Sequence, residues 1–197
     1  MSTTQIILLA LGAVLLFWVV GAYNRMVRMR NEIGNAFAQI DVQLKRRHDL
    51  IPNLVEVARK YLEHERETLE RVTAARAQAM AATDMVKSHP NQSGPIKSLG
   101  LAEGVLGSAL GRFQAVVEAY PELKADQQMA DLREELIHTE NKVSFSRQLF
   151  NDVTLDYNNA IHQFPTNLLA GLFSFQTAEM LQSTSSEAER APVKVSF

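Results

Sequence analysis

The sequence predicts an all-α protein: an N-terminal transmembrane helix followed by an antiparallel, up-down four-helix bundle. Three observations carry this. Ile6 to Tyr23, IILLALGAVLLFWVVGAY, runs 18 residues without a charge, about the minimum that crosses a hydrocarbon core as helix. Beyond it, apolar residues recur at steps of three, four and seven, the period of a helix face. No strand-like alternation of any length and no repeat of 20 to 50 residues interrupts the pattern in the 197 residues.

The first element is the span. Residues 1–5, MSTTQ, form a short extracytoplasmic N-terminus with no Lys or Arg, which argues against a cleaved signal peptide. Trp18 and Tyr23 stand toward one end of residues 6–23, where an aromatic belt sits. Arg25, Arg28 and Arg30 follow directly. Positive charge flanking one side of a span stays on the cytoplasmic face, so the large C-terminal part is expected in the cytoplasm of a bacterial cell, at its inner membrane.

Residues 24–164 are the bundle. Ile33, Phe37, Ile40 and Leu44 make one stripe, which skips a turn at Arg47 and His48 and resumes as Ile51, Val55, Ala58, Leu62, Leu69 and Val72. KSHPNQSGP, residues 87–95, is a loop by composition. A third helix carries Leu99, Leu106, Leu110, Phe113, Val117 and Tyr120 and stops before Pro121, which lacks an amide hydrogen. The fourth repeats Met129, Leu136, Val143, Phe150, Tyr157 and Phe164 every seven residues, a coiled-coil-like seam with polar Thr139 and Ser146 at companion positions near its middle. Residues 165–181 are expected to be a short apolar helical segment, and 182–197, rich in Ser and Glu, a disordered tail.

The stretch LKRRHDLIPNLVE, residues 44–56, predicts a corner. A continuous helix from Arg25 to Ala82 would be about 85 Å long, against roughly 35 and 60 Å for the third and fourth helices, and such a set cannot lie side by side. Lys45, Arg46 and Arg47 suit a helix C-terminus, HDLIP suits a hairpin loop, and Asn53 with Glu56 reads as a capping box. The alternative is a proline kink at Pro52 in one long bent helix. With a corner there, the fourth helix descends toward the bilayer. Leu168, Leu169, Leu172, Phe173 and Phe175 are then expected to touch the membrane interface or to cover the bundle's membrane-proximal end.

Chemistry is sparse. A formal charge of −2 lacks the basic excess of a nucleic-acid binder, and the absence of cysteine excludes disulfides and thiolate metal sites. Glu135-x-x-His138 has the spacing of a di-iron ligand pair, but no second such pair occurs and Leu136 between them belongs to the seam, so a solvated face is the better reading. No catalytic residue, cofactor or metal ligand is assigned. Gly100, Gly104, Gly107 and Gly111 share one face of the third helix, where small residues permit close helix packing, within the chain or in a homo-oligomer.

The run YNRMVRMRNEIGNAFAQIDVQLKRRHDLIPNLVEVARKYLEHERETLERVTAARAQA, the run AYPELKADQQMADLREELIHTENKVSFSRQLFNDVTLDYN, the run FPTNLLAGLFSF and the closing VKVSF strongly resemble the LemA family of bacterial membrane proteins. The resemblance covers nearly the whole chain; GLAEGVLGSALG departs from it. It implies a helical bundle behind one transmembrane segment and carries no catalytic residues. The expected function is a non-enzymatic scaffold or interaction protein at the membrane, with the lipid bilayer and an unidentified membrane or cytoplasmic protein as partners. A metal-dependent helical enzyme and a membrane-shaping oligomer are the alternatives.

Overall fold

The computed structural model describes residues 2–90 and 92–182, so the expected tail lies almost wholly outside the described residues. All regular structure within them is helical: α1 (Thr3–Arg59), α2 (Arg66–Ser88), α3 (Ser93–Ala119), α4 (Pro121–Lys124), α5 (Gln127–His162) and α6 (Thr166–Leu172). Ser2 starts α1, its hydroxyl accepting from the Gln5 amide while its own N–H donates to the Gln5 side chain at 2.9 Å. Helix therefore begins inside the stretch expected as an N-terminal extension. Ile6 through Phe17 pack against nothing, and this is the one helix among the described residues long and apolar enough to cross a membrane.

The corner at residues 44–56 does not form. α1 runs through Pro52 to Arg59, so Asn53 and Glu56 are helix interior and cap nothing. A proline removes the N–H that would bond the carbonyl four residues back, here that of His48. Arg76 of α2 supplies the missing donor, its Nε lying 2.6 Å from the His48 oxygen. The chain turns instead at residues 60–65. The length argument required a break, and one exists: from Arg25, α1 extends about 52 Å against about 54 Å for α5.

α1 and α5 run antiparallel along their whole shared length. Tyr61 donates to Asp126 at 3.0 Å at one end, Phe37 and Phe150 meet edge to face at 6.2 Å in the middle, and Tyr23 meets Phe173 at 4.9 Å at the other. α2 returns along α1, with Lys87 2.9 Å from Asp41, and α3 packs on α2. The seam of α5 buries Met129, Val143, Phe150 and Tyr157, but Phe164 lies beyond the helix end and is 80% exposed. Thr139 and Ser146 are buried, and the Thr139 hydroxyl donates back to the Glu135 carbonyl at 2.8 Å.

The core has two parts. One gathers Met26, Ile33, Phe37, Leu44, Leu99, Val143 and Phe150; the other gathers Ile51, Leu54, Leu62, Val72, Leu106, Phe113 and Met129. The gap along α1 falls between Leu44 and Ile51, and along α3 between Leu99 and Leu106. The residues in that gap are ionic.

Candidate functional site

Between the two apolar clusters lies a buried charge node. Arg47 Nη1 donates to Glu103 Oε2 at 2.7 Å, Arg47 Nη2 lies 3.0 Å from Glu140, and His48 Nε2 is 3.1 Å from Glu103 Oε1. The Arg47 side chain is 6% exposed and that of Glu103 11%. Three helices are thereby pinned in register, and the Arg76 bond to the His48 carbonyl adds a fourth. Removing one partner of a buried ion pair leaves the other charge uncompensated, so the members of the node depend on one another. The apparent skip in the α1 stripe is this node, so the stripe does not pause; it turns ionic for one turn. Glu103 escaped the sequence reading, although it lies four residues after Leu99 and three before Leu106 and so shares their face.

Glu135 pairs with Arg46, and His138 is exposed. Among the described residues no group of three His, Asp or Glu side chains is placed to hold a metal ion. The glycine face of α3 borders an open groove against α2, about 860 Å³ in volume, with Gly100 and Gly104 in its wall and Arg71 and Arg112 on its rim. A Cβ on Gly100 would meet Leu181 at 3.8 Å, and one on Gly107 or Gly111 would meet nothing within 4 Å.

The other assembled region is the end where α1 leaves its apolar stretch. α5 stops at His162, a cis Phe164–Pro165 bond follows, and α6 folds against α5 and α1. Only Thr166–Leu172 of the expected helical segment is helix. It ends in a paired cap, Phe175 N–H donating to Ala170 at 2.9 Å and Ser174 N–H to Gly171 at 3.3 Å, with Ser174 at φ 56°. The chain then runs back along α5 without regular structure. Asn158 clasps the backbone of Ala178 through two 2.9 Å bonds, and Asn151, seven residues earlier on the same face, clasps Leu181 at 2.9 and 3.1 Å. The Tyr157 hydroxyl donates to the Gln176 carbonyl at 2.9 Å, and burial pushes that phenol's pKa up.

This fold-back divides the five apolar residues named from sequence. Leu169 enters the core and Phe175 is half-buried against it, packing with Phe173 around Tyr23 at 5.8 and 4.9 Å. Leu168, Leu172 and Phe173 are 65%, 74% and 46% exposed, and Phe164 joins them. Arg25, Arg28 and Arg30 are exposed on the adjoining turns of α1. An exposed apolar rim, an aromatic cluster and three cations thus stand at one level. A cavity of about 250 Å³ opens there, lined by Trp18, Gly21, Ala22, Arg25, Met26, Ala160, Gln163 and Thr166.

The chain is similar to magnetosome protein MamQ 2 of Paramagnetospirillum magneticum, 27% identical over 175 residues, covering 81% of this chain and 64% of the relative. It is 26% identical over 172 residues to magnetosome protein MamQ of Magnetospirillum gryphiswaldense, covering 80% and 63%. It is 28% identical over 180 residues to protein LemA of Metamycoplasma hominis, covering 91% and 77%. The chain therefore spans just under two thirds of the magnetosome proteins it matches. The model of the LemA family matches residues 36–197, from the second half of α1 through α6 and beyond, and the chain belongs to that family.

Proposed function

We propose that this protein is a single-pass membrane protein. On this reading it stands an up-down four-helix bundle on the cytoplasmic face of the inner membrane and works by binding rather than by catalysis. One observation carries it: the exposed apolar stretch of α1, the one such stretch among the described residues, ends at the level where Leu168, Leu172, Phe173 and Phe164 are also exposed, with Arg25, Arg28 and Arg30 beside them. Apolar side chains left in water at one level, rimmed by cations, are what a bilayer interface accommodates. The span and the rim then dock as one unit, because Phe173 and Phe175 pack on Tyr23. Its partners are the bilayer and a membrane or cytoplasmic protein, a second copy included. The names of the three relatives include magnetosome proteins and no reaction, in keeping with a binding role.

The absence of cysteine makes the topology directly testable. Ser2→Cys and Ser88→Cys place single thiols at exposed positions on either side of the span. A membrane-impermeant maleimide should label Ser2→Cys in spheroplasts and Ser88→Cys only after lysis. The reverse pattern overturns the orientation, and equal labelling before lysis overturns the span. Crosslinking in native membranes then reads the interaction: a defined captured protein or a second copy supports it, and turnover by purified protein carrying stoichiometric metal overturns it.

A further inference from the structure

We propose that the cavity at the base of the span is a binding site for an anionic phospholipid lacking a headgroup ammonium, such as a phosphatidylglycerol. The inference rests on the membrane reading above. The lining is amphipathic along the membrane normal. Along α1 the lining passes from Trp18, Gly21 and Ala22 on the span to Arg25 above them, while Gln163 and Thr166 add polar groups and Met26 and Ala160 apolar ones. Trp18, Gly21, Ala22 and Arg25 share one face of α1, spaced three, four and seven apart, and the same face continues down the span as Val14 and Leu11, both exposed. A ligand polar at one end and apolar at the other matches that order, and free phosphate matches only the upper half.

Charge selects among lipids. Among the described residues Arg25 is the one charged residue in the lining, and no carboxylate lines the cavity. A guanidinium offers a fork of donors to phosphate oxygens, and the Gln163 amide and Thr166 hydroxyl stand where a glycerol hydroxyl can bond. An ethanolamine or choline headgroup would bring an ammonium beside Arg25 with no anion to receive it. The volume, about 250 Å³, leaves room for a phosphoglycerol headgroup. Gly21 keeps the floor open, since a Cβ there would meet nothing and would occupy the cavity.

Trp18 is the only tryptophan in the chain and lines the cavity, so its fluorescence reports the occupant. The full chain is reconstituted into phosphatidylcholine vesicles containing a minor fraction of phosphatidylglycerol, with bromine on the acyl chains of one lipid or the other. Quenching by brominated phosphatidylglycerol should exceed its mole fraction by about fivefold, the ratio that ~1 kcal/mol per cation near the surface gives. Arg25→Gln should bring quenching to the mole fraction without changing quenching by brominated phosphatidylcholine, and Arg59→Gln, at the far end of α1, should keep the excess. Millimolar inorganic phosphate should leave it unchanged. Quenching at the mole fraction in the unaltered chain overturns the site and leaves the span intact. Loss of the excess in Arg59→Gln, or on adding phosphate, also overturns the lipid assignment. No quenching by either lipid overturns the span itself.

Discussion

Replacing Arg76 with methionine removes the donor to the His48 carbonyl while keeping most of the side chain's length. That carbonyl has no helical partner because residue 52 is proline, and the 2.6 Å bond joins it to a charged group. A hydrogen bond to a charged group contributes about 1.5–3 kcal/mol, and an orphaned buried carbonyl costs a similar amount. Arg76→Met alone should therefore lose about 2 kcal/mol. In a Pro52→Ala background residue 52 regains its N–H, the His48 carbonyl is satisfied within α1, and the same substitution should lose under about 1 kcal/mol. Pro52→Ala itself should stabilise, since a proline in a helix interior costs roughly 3 kcal/mol relative to alanine, part of which Arg76 now offsets. The assay is a double-mutant cycle read by denaturant unfolding of the full chain in micelles, followed by far-ultraviolet circular dichroism. An equal loss from Arg76→Met in both backgrounds would refute the pairing of proline and arginine.

Further outcomes follow from the node, the glycine face and the α5 cap. Glu103→Leu removes the carboxylate shared by Arg47 and His48, leaving Arg47 the half-exposed Glu140, and should cost about 3 kcal/mol, whereas Glu140→Gln, at a carboxylate half in water, should cost under about 1; equal losses in unfolding titrations would contradict the burial difference. Gly107→Ala and Gly111→Ala should each stabilise by up to about 1 kcal/mol, because the methyl group enters open space and the helix gains propensity. A fall in melting temperature would instead mean that another helix packs closely there. Asp126 is held below the usual aspartate range, first by the Met129 backbone N–H and then by the Tyr61 hydroxyl. A lowered folded pKa gives stability that is present above the ordinary value of about 3.9 and lost as pH falls through the lowered one. The acid side of the stability profile should therefore flatten in Asp126→Ala, and an unchanged slope below about pH 4 would discount this cap.

Helix content and the buried stripes were legible because periodicity depends only on spacing. Ile33, Phe37, Ile40, Leu44, Leu99, Phe113 and Phe150 all lie in the core their spacing implied. The 175–182 segment was not legible, because it is held by side chains of another element: Asn151 and Asn158 pair with its backbone much as a neighbouring strand would. Nothing local to FSFQTAEMLQ announces a partner seven residues apart on α5. Ser174 sits in a left-handed conformation that glycine would take more easily, so the helix stop there also lacked its usual signal.

The misplaced corner is the most instructive difference. The stripe from Ile33 to Val72 has two polar turns, Arg47-His48 and Glu65-Arg66, and the length argument needed one of them to be a break. Proline drew the choice to the first. Phase argued otherwise: Leu44, Arg47 and Ile51 keep steps of three and four, so a face that carries charge without losing register is a face still in use. What decides is whether the rest of the chain can answer the charge. Glu103 interrupts the α3 stripe with the opposite sign at the level where Arg47 and His48 interrupt that of α1, and the two interruptions meet. Among the described residues Glu65 and Arg66 meet no such counterpart: the Glu65 carboxylate accepts only from the neighbouring Thr68 hydroxyl and the Arg66 side chain pairs only with Glu70 on its own helix, and there the chain turns. A charged gap in an apolar stripe is thus read correctly only against the gaps of other stripes. The direction of α5, and with it the placement of Phe173 and Phe175 beside Tyr23, depends on there being one turn between α1 and α2 and not on where that turn falls.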